Sequence, residues 1–305
     1  MNKDLVTISS LSESEIRELL VLTGKLKKSP FLMGEPLKQR TLALLFQKPS
    51  NRTRISFEVA MTHLGGYTLY LSPGEIDMGR REPPKDVAQV LSRYVDCIVA
   101  RVYAHDDIIT LAENSSVPVI NGLSDRAHPC QALSDIFTVL EKFGTFKGIK
   151  LAYVGDGNNV LNSLMIACAK VGLDIVTATP RGYEPTESIV SEGIEIAAKT
   201  GSSVKVMKDP FEAVRGADIV YTDVWVSMGQ EDERDKRLKD FRDYQINEKL
   251  MKSTEKKTLL MHCLPAHRGE EVTDVIDGPN SIIYDQAENR MHMQKAILYT
   301  LLAKR

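Results

Sequence analysis

The sequence predicts an α/β protein built from two doubly wound parallel-sheet domains joined by interdomain helices. Short, almost uninterrupted apolar runs alternate with segments of helical periodicity, a pattern typical of parallel strands that helices cover on both faces. The alternation occurs in two successive series along 305 residues. A chain of this length suits two domains at roughly 150 residues each, and both can bury a core.

The first series of elements comes from the N-terminal part of the chain. Apolar runs predict four strands, at 41–46, 67–71, 96–101 and 117–121. Helical periodicity predicts three intervening helices, at 52–64, 84–93 and 105–113. A longer periodic stretch at 130–143 follows, and we expect it to bridge the two domains.

The second series begins after this bridging stretch. Its apolar runs predict strands at 150–156, 174–179, 203–207, 218–224, 258–263 and 281–286. The predicted helices lie at 159–171 and 186–200, with a final helical stretch at 288–303. The charged segment 229–243 is predicted to be a solvated loop or helix that could act as a lid beside a site.

Composition and charge exclude several classes of protein. Lysine and arginine total 39 against 41 for aspartate and glutamate, so the formal net charge is −2, and 43% of the residues are hydrophobic. This balance argues against a disordered chain and against a generally basic nucleic-acid binder. No apolar run approaches the roughly 18 residues of a membrane helix, and no signal peptide is evident. We therefore expect a cytoplasmic protein with neither membrane nor nucleic-acid partners.

The cysteines agree with a cytoplasmic location. None of the four, which are Cys97, Cys130, Cys168 and Cys263, belongs to a C-x-x-C pair. Such spacing is unlike a zinc cage or a thioredoxin-like motif. Four cysteines are also too few for a disulfide scaffold in a chain of this length, so we expect free thiols.

The first predicted strand ends at a candidate phosphate site. The residues that follow it and open the next helix are Ser50, Asn51, Arg52, Thr53 and Arg54, and Ser50 or Asn51 suits the N-cap. Arginines oppose the dipole of a helix start, but together with hydroxyls and free N–H groups they suit a bound anion. The segment therefore predicts phosphate binding, and the alternative is a solvated basic helix start.

Hydrogen-bonding side chains also follow later strands of the first series, where ligands of open parallel sheets bind. Arg101 ends the third strand, and the bridging helix opens with His128, Pro129, Cys130 and Gln131. Proline suits a helix start, His128 could donate to a carbonyl oxygen, and Gln131 offers both a donor and an acceptor. The alternatives are an arginine at a sheet edge and a structural histidine.

The loop after the first strand of the second series resembles half of a dinucleotide-binding motif. Gly155 and Gly157 are present, but Val160 stands where a third glycine belongs. No acidic residue ends the next strand, where ribose recognition would need one, so the sequence argues against a nicotinamide cofactor. Asn158 and Asn159 could instead hold an α-amino or carboxylate group.

Three further candidates come from the second half of the chain. Asp223 ends a strand, where a carboxylate could bind an ammonium group or could simply cap a turn. His262 and Cys263 end another strand with side chains on opposite faces, so we expect only one to reach a site; the alternative for Cys263 is a core position. Arg290 opens the last helix and adds a positive charge.

Four of these segments resemble motifs of the aspartate/ornithine transcarbamoylase family. Ser50–Arg54 resembles the family's Ser-x-Arg-Thr-Arg motif for carbamoyl phosphate, and His128–Gln131 resembles its His-Pro-x-Gln motif. Asp223–Gly229 and His262–Pro265 resemble the pair typical of the ornithine-using members. The resemblance extends over essentially the whole chain, from the first strand to Arg290.

The resemblance implies a division of two substrates between the domains. Residues 1–132, with the C-terminal helix 288–305 packed against them, would bind carbamoyl phosphate, and 133–287 would bind ornithine. The implied carbamoyl-phosphate residues are Ser50, Asn51, Arg52, Thr53, Asp77, Arg101, His128, Pro129, Cys130, Gln131, Cys263, Leu264 and Arg290. The implied ornithine residues are Asn159, Asp223, Ser227 and Met228.

An assembly is implied as well. Members of the family form homotrimers or multiples of trimers with shared active sites, in which a loop that corresponds to residues near 75–82 reaches a neighbour's site. Asp77 stands in this loop where many relatives have glutamine. Because an acid does not suit a phosphate, Arg80 or Arg81 is the alternative contact.

The implied reaction transfers the carbamoyl group of carbamoyl phosphate to the δ-amine of L-ornithine, giving L-citrulline and phosphate for arginine biosynthesis. The neutral amine attacks the carbonyl carbon, while Arg101, His128 and Thr53 donate to the oxygen that becomes negative. Asp223 and Cys263 orient the amine. The reaction needs no cofactor and no metal.

Other activities fit the same scaffold. A putrescine carbamoyltransferase would differ in its product, whereas an aspartate carbamoyltransferase would need positive groups where this chain has Asp223 and its Ser-Met-Gly sequence. A non-catalytic sensor would bind carbamoyl phosphate without releasing phosphate.

Overall fold

The computed structural model describes residues 3–76, 78–227 and 229–303, so Asp77 and Met228 of the predicted site lie outside the described residues. The chain divides into two compact units. Unit 1 comprises Met1–Phe137 and Glu288–Arg305, and unit 2 comprises Thr138–Ala287. Each unit contains one parallel sheet with helices, which confirms the predicted fold class.

Unit 1 is built on a four-stranded parallel sheet. Its strands, in the spatial order β2-β1-β3-β4, are β1 (Thr41–Phe46), β2 (Tyr67–Leu71), β3 (Cys97–Arg101) and β4 (Val119–Leu123). The helices of this part of the chain are α1 (Glu13–Lys28), α2 (Asn51–His63), α3 (Pro73–Ile76), α4 (Pro84–Leu91), α5 (His105–Asn114) and α6 (Pro129–Phe143). The interior strands β1 and β3 are almost entirely buried, as their uninterrupted apolar runs predict.

Unit 2 is built on a five-stranded parallel sheet. Its strands, in the spatial order β7-β6-β5-β8-β9, are β5 (Lys150–Val154), β6 (Asp174–Ala178), β7 (Val204–Met207), β8 (Ile219–Thr222) and β9 (Leu259–His262). The later helices are α7 (Asn159–Val171), α8 (Glu187–Thr200), α9 (Pro210–Val214), α10 (Arg234–Asp240), α11 (Glu248–Lys252) and α12 (Ile283–Leu302). Short 3₁₀ helices lie at Glu231–Glu233, Arg242–Tyr244 and Asp274–Asp277. The division between the units falls inside α6 and inside α12.

The strand order of each sheet reverses at one place. In unit 1 the reversal lies between β1 and β3, and in unit 2 it lies between β5 and β8. Loops that leave the carboxyl ends of such strands diverge and open a crevice, where open α/β sheets bind ligands. The segment beginning at Ser50 follows β1, and Asp223 follows β8, so the strand order places both at these crevices.

The predicted strand at 281–286 is wrong. Only Ser281 forms an isolated bridge, to Leu260, and the backbone N–H of Gln286 already donates to Ile282 in a helical pattern. The final helix, α12, therefore begins at Ile283, five residues before the predicted start at 288. A short apolar run at a buried helix start has the same local pattern as a buried strand, which explains the error.

Helix α1 is absent from the sequence-based predictions, although a signal for it is present. Ser12 and Glu15 form a reciprocal capping box at its start. Ile16, Leu19 and Leu26 lie on its buried face at helical spacing. The capping motif and this spacing would have been enough to predict the helix.

All four cysteines are free thiols, as predicted, and only Cys263 is partly exposed. Along residues 3–76, 78–227 and 229–303, no helix is both long enough and apolar enough to cross a lipid bilayer.

Candidate active site

The start of α2 in unit 1 has the hydrogen-bond donors and positive charge that suit a bound anion. Ser50 is the N-cap, and its Oγ accepts a hydrogen bond from the Thr53 backbone N–H at 3.3 Å. The first turn contains no acidic residue, Thr53 is buried and Arg52 is exposed. Backbone donors at the helix start and an adjacent guanidinium group are the features that bind phosphate oxygens.

Arg54, the second arginine of this segment, makes contacts away from the helix start. The Arg54 Nε donates to Glu58 Oε1 at 2.9 Å, and its guanidinium carbon lies 3.9 Å from the centroid of the Tyr70 ring. These contacts hold Arg54 along the side of α2. Arg52 is therefore the better placed of the two arginines to meet an anion at the helix start.

The last helix brings another guanidinium group to this turn. Arg290 of α12 is buried, and its Nη2 donates to Thr53 Oγ1 at 2.9 Å. Ser50 Oγ also donates to Thr53 Oγ1, at 3.2 Å. The structure thus joins two predicted site residues, Thr53 and Arg290, that lie far apart in the sequence.

Arg101 is the last residue of β3, and His128 lies between the neighbouring strand β4 and α6. The pairing register between β3 and β4 shifts at Arg101, because Gly122 is an extra residue on β4. A Cβ at Gly122 would lie 3.2 Å from the Ala100 carbonyl oxygen, a close approach that glycine permits. Bulges of this kind redirect side chains and are common beside active sites.

His128 is held in its neutral form. Burial lowers its pKa well below the usual value, and the positive charges of Arg290 and Arg101 lower it further. At neutral pH the ring therefore carries one N–H group that can donate a hydrogen bond. We define the unit 1 cluster as Ser50, Asn51, Arg52, Thr53, Arg101, His128, Gln131 and Arg290.

The residues after His128 have distinct environments. Pro129 is the first residue of α6, where its missing N–H is harmless. The Cys130 thiol donates to the Asn121 carbonyl at 3.6 Å, and burial raises its pKa to about 12, so it stays protonated and faces the core. Gln131 Nε2 donates to Asp135 Oδ1 at 2.8 Å, while its Oε1 accepts no hydrogen bond from the described residues.

In unit 2, three loops meet at the carboxylate of Asp223. Its Oδ1 accepts from Cys263 Sγ at 2.8 Å, and its Oδ2 accepts from Asn158 Nδ2 at 2.8 Å. These residues follow β8, β9 and β5 respectively. We define the unit 2 cluster as Asn158, Asn159, Asp223, Ser227 and Cys263.

The two asparagines of this cluster are not equivalent. Asn158 is the N-cap of α7, with its Oδ1 accepting from the N–H of Val160 at 2.9 Å, and its amide holds Asp223. Asn159, which the sequence analysis placed in the ornithine site, is the first residue of α7 and is half-buried. Ser227 is also half-buried, and its N–H donates to Gln230 Oε1 at 3.0 Å.

Glu271 is a supporting residue that the sequence analysis missed. It is fully buried, and its Oε1 lies 3.2 Å from Nε2 of the buried His262. His262 Nδ1 accepts from the Leu264 backbone N–H at 2.8 Å, so Nε2 carries the ring proton and donates to Glu271. This arrangement fixes the backbone on both sides of Cys263, next to the cis peptide bond Leu264–Pro265.

Some of these groups have the composition of a metal site. Ligand atoms of Asp223, His262 and Cys263 lie within 4.8 Å of one another. Both ring nitrogens of His262 and both carboxylate oxygens of Asp223 take part in the hydrogen bonds described above. The donor set is therefore satisfied by hydrogen bonding.

A buried ion pair supports the loop that follows Asp223. Arg237 of α10 donates through Nη1 to Asp156 Oδ2 at 3.1 Å and to the Trp225 carbonyl at 3.0 Å. Arg237 lies in the segment 229–243 that was predicted to be solvated, whereas its side chain is only 8% exposed. The sequence of a charged segment does not show which of its arginines is buried, because burial depends on a partner that only the fold brings close.

We predict that acidification loosens this support. Burial raises the pKa of Asp156 to about 6, although Arg237 opposes the shift. As the pH falls through this value, Asp156 gains a proton and its ion pair with Arg237 is lost. Trp225, the chain's single tryptophan, should then change its fluorescence with a midpoint near pH 6. An Asp156→Asn variant should abolish the transition, and its persistence in that variant would contradict the assignment.

Comparison with known proteins agrees with the motifs of both units. Residues 3–141 match the family model "Aspartate/ornithine carbamoyltransferase, carbamoyl-P binding domain". Residues 147–301 match "Aspartate/ornithine carbamoyltransferase, Asp/Orn binding domain". Together these models span most of the chain.

Individual relatives are similar over nearly their whole length. The ornithine carbamoyltransferase of Pyrococcus horikoshii is 55% identical over 304 residues, covering 98% of this chain and 96% of that protein. The ornithine carbamoyltransferase of Anoxybacillus flavithermus is 50% identical, with coverage of 98% and 96%. The solved structure of ornithine carbamoyltransferase from Pyrococcus furiosus has a TM-score of 0.95 at 53% identity and covers 98% of this chain and 97% of its own. The chain therefore belongs to the aspartate/ornithine carbamoyltransferase family.

Proposed function

We propose that the protein is an ornithine carbamoyltransferase that converts carbamoyl phosphate and L-ornithine into L-citrulline and phosphate. The observation that carries the proposal is the unit 1 cluster, in which Arg290 and the helix-start Thr53 lie together and a neutral His128 carries an N–H donor. The names and identities of the relatives favour ornithine over other amines.

The phosphate group is bound by the start of α2. Ser50, Asn51, Arg52 and Thr53 supply hydroxyls, backbone N–H groups and a guanidinium group, and Arg290 adds a second positive charge. Negative charge at a helix start is stabilised by these donors and by the helix dipole. The same donors stabilise phosphate as the leaving group.

The carbamoyl group is bound by hydrogen-bond donors and one acceptor, which come from different helices and strands. Arg101, His128 and Thr53 donate to its oxygen, which becomes negative as the tetrahedral intermediate forms. Gln131 Oε1 accepts from the carbamoyl NH₂ group. Pro129 and Cys130 contribute through backbone groups, since the Cys130 thiol faces the core.

The amino substrate is bound by the unit 2 cluster. An alkyl amine has a pKa near ~10.4 in water, so the enzyme must supply the neutral δ-amine for attack. Asp223 and Cys263 orient that amine, and Asn159, Ser227 and Met228 hold the amino-acid end. Cys263 and the adjacent Leu264 also contribute to binding carbamoyl phosphate. The new C–N bond forms first, as the carbonyl π electrons move onto the oxygen and give the tetrahedral intermediate. The carbonyl then re-forms, the C–O bond to phosphate breaks, and the departing phosphate accepts a proton from the attacking nitrogen.

We propose that the carbamoyl-phosphate domain comprises 1–132 with the C-terminal segment 288–305, and that the ornithine domain comprises 133–287. We also propose a homotrimer or a multiple of trimers; in it, a neighbouring subunit would cover exposed apolar surface such as Tyr67 and Leu69 of the edge strand β2, which are 67% and 50% exposed. Asp77 belongs to the loop proposed to reach a neighbouring subunit.

We place the reaction in the cytoplasm. We also place it in arginine biosynthesis, in keeping with the word "anabolic" in the name of the Pyrococcus furiosus relative.

One assay tests this proposal. The purified protein is incubated with carbamoyl phosphate and, separately, ornithine, putrescine or aspartate, and the ureido product is identified. Citrulline should form by far the fastest. Carbamoyl-putrescine or carbamoyl-aspartate as the main product would contradict the ornithine assignment, and binding without phosphate release would indicate a sensor.

A further inference from the structure

Two loops of unit 1 are joined by a network that the reaction described above does not use. One follows β3 and the other follows β4. The backbone N–H of Val102 donates to the Leu123 carbonyl at 2.9 Å, and that of Asp125 donates to the Tyr103 carbonyl at 3.1 Å. The His105 N–H donates to Asp125 Oδ1 at 2.8 Å, which satisfies a helix start that has no side-chain cap of its own.

Side chains complete the network inside the protein. His105 Nδ1 lies 2.7 Å from Ser124 Oγ, and both residues are buried. Asn121 Nδ2 donates to the same Oγ at 3.2 Å, and the Ser124 N–H donates to the Ala127 carbonyl at 3.0 Å. Ser124 therefore connects β4, α5 and the turn that ends at Ala127.

The chemistry of His105 suits this connection. Burial lowers its pKa, and the charge of Arg126 acts in the same direction, while Asp125 and Asp106 oppose the shift. The neutral ring can accept the Ser124 hydroxyl proton on Nδ1 while Nε2 carries the ring proton. The Ala127 carbonyl, 3.4 Å from Ser124 Oγ, is a second and longer acceptor for the hydroxyl, so each of these two contacts holds the turn to α5 or to itself.

The position of the pair gives it a role. The first loop begins directly after Arg101, and the second ends directly before His128. We infer that His105 and Ser124 form a latch that positions Arg101 relative to His128, so that both donors meet the oxygen of the carbamoyl group. His105 and Ser124 are positioning residues, and the inference rests on the proposed function.

The latch should matter more for the chemical step than for binding. Donors that stabilise a developing charge must be placed accurately, and a shift of about 1 Å can cost about 100-fold in rate. Substrate binding also depends on the phosphate contacts at α2, which the latch does not touch. Its loss should therefore lower kcat and leave both KM values nearly unchanged.

The experiment compares His105→Ala, His105→Gln, Ser124→Ala and the double variant His105→Ala with Ser124→Ala. We expect His105→Ala to lower kcat about 10- to 100-fold. Glutamine can accept and donate through its amide, so His105→Gln should recover most of the rate. Ser124→Ala removes the hydrogen bond to His105 and also the one from Asn121, so the double variant should be no slower than Ser124→Ala alone.

His63→Gln is the matched control. His63 is a histidine of the same unit whose pKa is also lowered by burial, and its ring packs against Phe31. Its kinetic constants should equal those of the wild type. Thermal unfolding identifies a variant that does not fold. If His105→Ala does not fold, the kcat of Ser124→Ala, which removes one oxygen atom, tests the latch instead.

Several results would overturn the latch. A folded His105→Ala or Ser124→Ala variant with wild-type kcat would do so, and so would multiplying effects in the double variant. Higher KM values at unchanged kcat, or an equal loss in His63→Gln, would also contradict it. A wild-type protein that forms no citrulline overturns the proposed function together with the latch, whereas the other results leave the proposed function intact.

Discussion

Replacing Arg101 with methionine is expected to lower kcat for citrulline formation about 100- to 1000-fold. The guanidinium group is buried at the end of β3, close enough to His128 to lower the pKa of that ring. Its charge and donors are most valuable when the carbamoyl oxygen becomes negative, and methionine keeps much of the side-chain volume without either. Steady-state kinetics with each substrate varied in turn measure the loss.

Arg93→Met is the control for this prediction. Arg93 is an exposed arginine of the same unit, in the segment between α4 and β3. Its replacement should leave kcat and both KM values as they are. An Arg101→Met enzyme that retains more than about one tenth of the wild-type kcat would show that this guanidinium does not stabilise the transition state.

Replacing Asp223 with asparagine is expected to lower kcat/KM for ornithine about 10- to 100-fold. Asparagine has nearly the same shape, but it lacks the charge that attracts an ammonium group and alters the contacts with Cys263 and Asn158. Hydrogen bonds to charged groups contribute about 1.5–3 kcal/mol, which corresponds to this range. The carbamoyl-phosphate affinity, measured by calorimetry without ornithine, should be unchanged.

Asp218→Asn is the matched control. Asp218 directly precedes β8, at the opposite end from Asp223, and pairs with Lys256 at 2.8 Å. The variant should keep the ornithine kinetics of the wild type. If Asp223→Asn also does so, or if it mainly weakens carbamoyl-phosphate binding, Asp223 does not bind the amine.

Local pattern was sufficient for most of the secondary structure. The apolar runs 41–46 and 67–71 became β1 and β2 with the predicted bounds, and the predicted helix 159–171 is α7. The strand predicted at 117–121 lies two residues later, as Val119–Leu123, because pairing with β3 and the extra residue Gly122 set its limits. The first and last residues of a strand depend on the neighbouring strands with which it pairs, and the sequence of one segment does not reveal these.

The candidate site was predictable where its residues are close in sequence. The segment Ser50–Thr53 forms one helix start. Its hydroxyl side chains, and the lack of acidic residues in the first turn, can be read directly from the sequence. Glu271, Arg237 and His105 were missed, because their roles depend on contacts with His262, Asp156 and Ser124. No local signal distinguishes a buried charged or polar residue from a solvated one of the same type.

By itself the sequence determined the alternation of strands and helices, the two-domain organisation and the residue types proposed to bind phosphate, since periodicity and short motifs are local properties. Only the tertiary structure decided that Arg290 bonds Thr53, that Cys263 and Asn158 share the carboxylate of Asp223, and that α12 begins at Ile283. Strand order and the burial of paired polar groups bring distant segments together, and these depend on the whole fold.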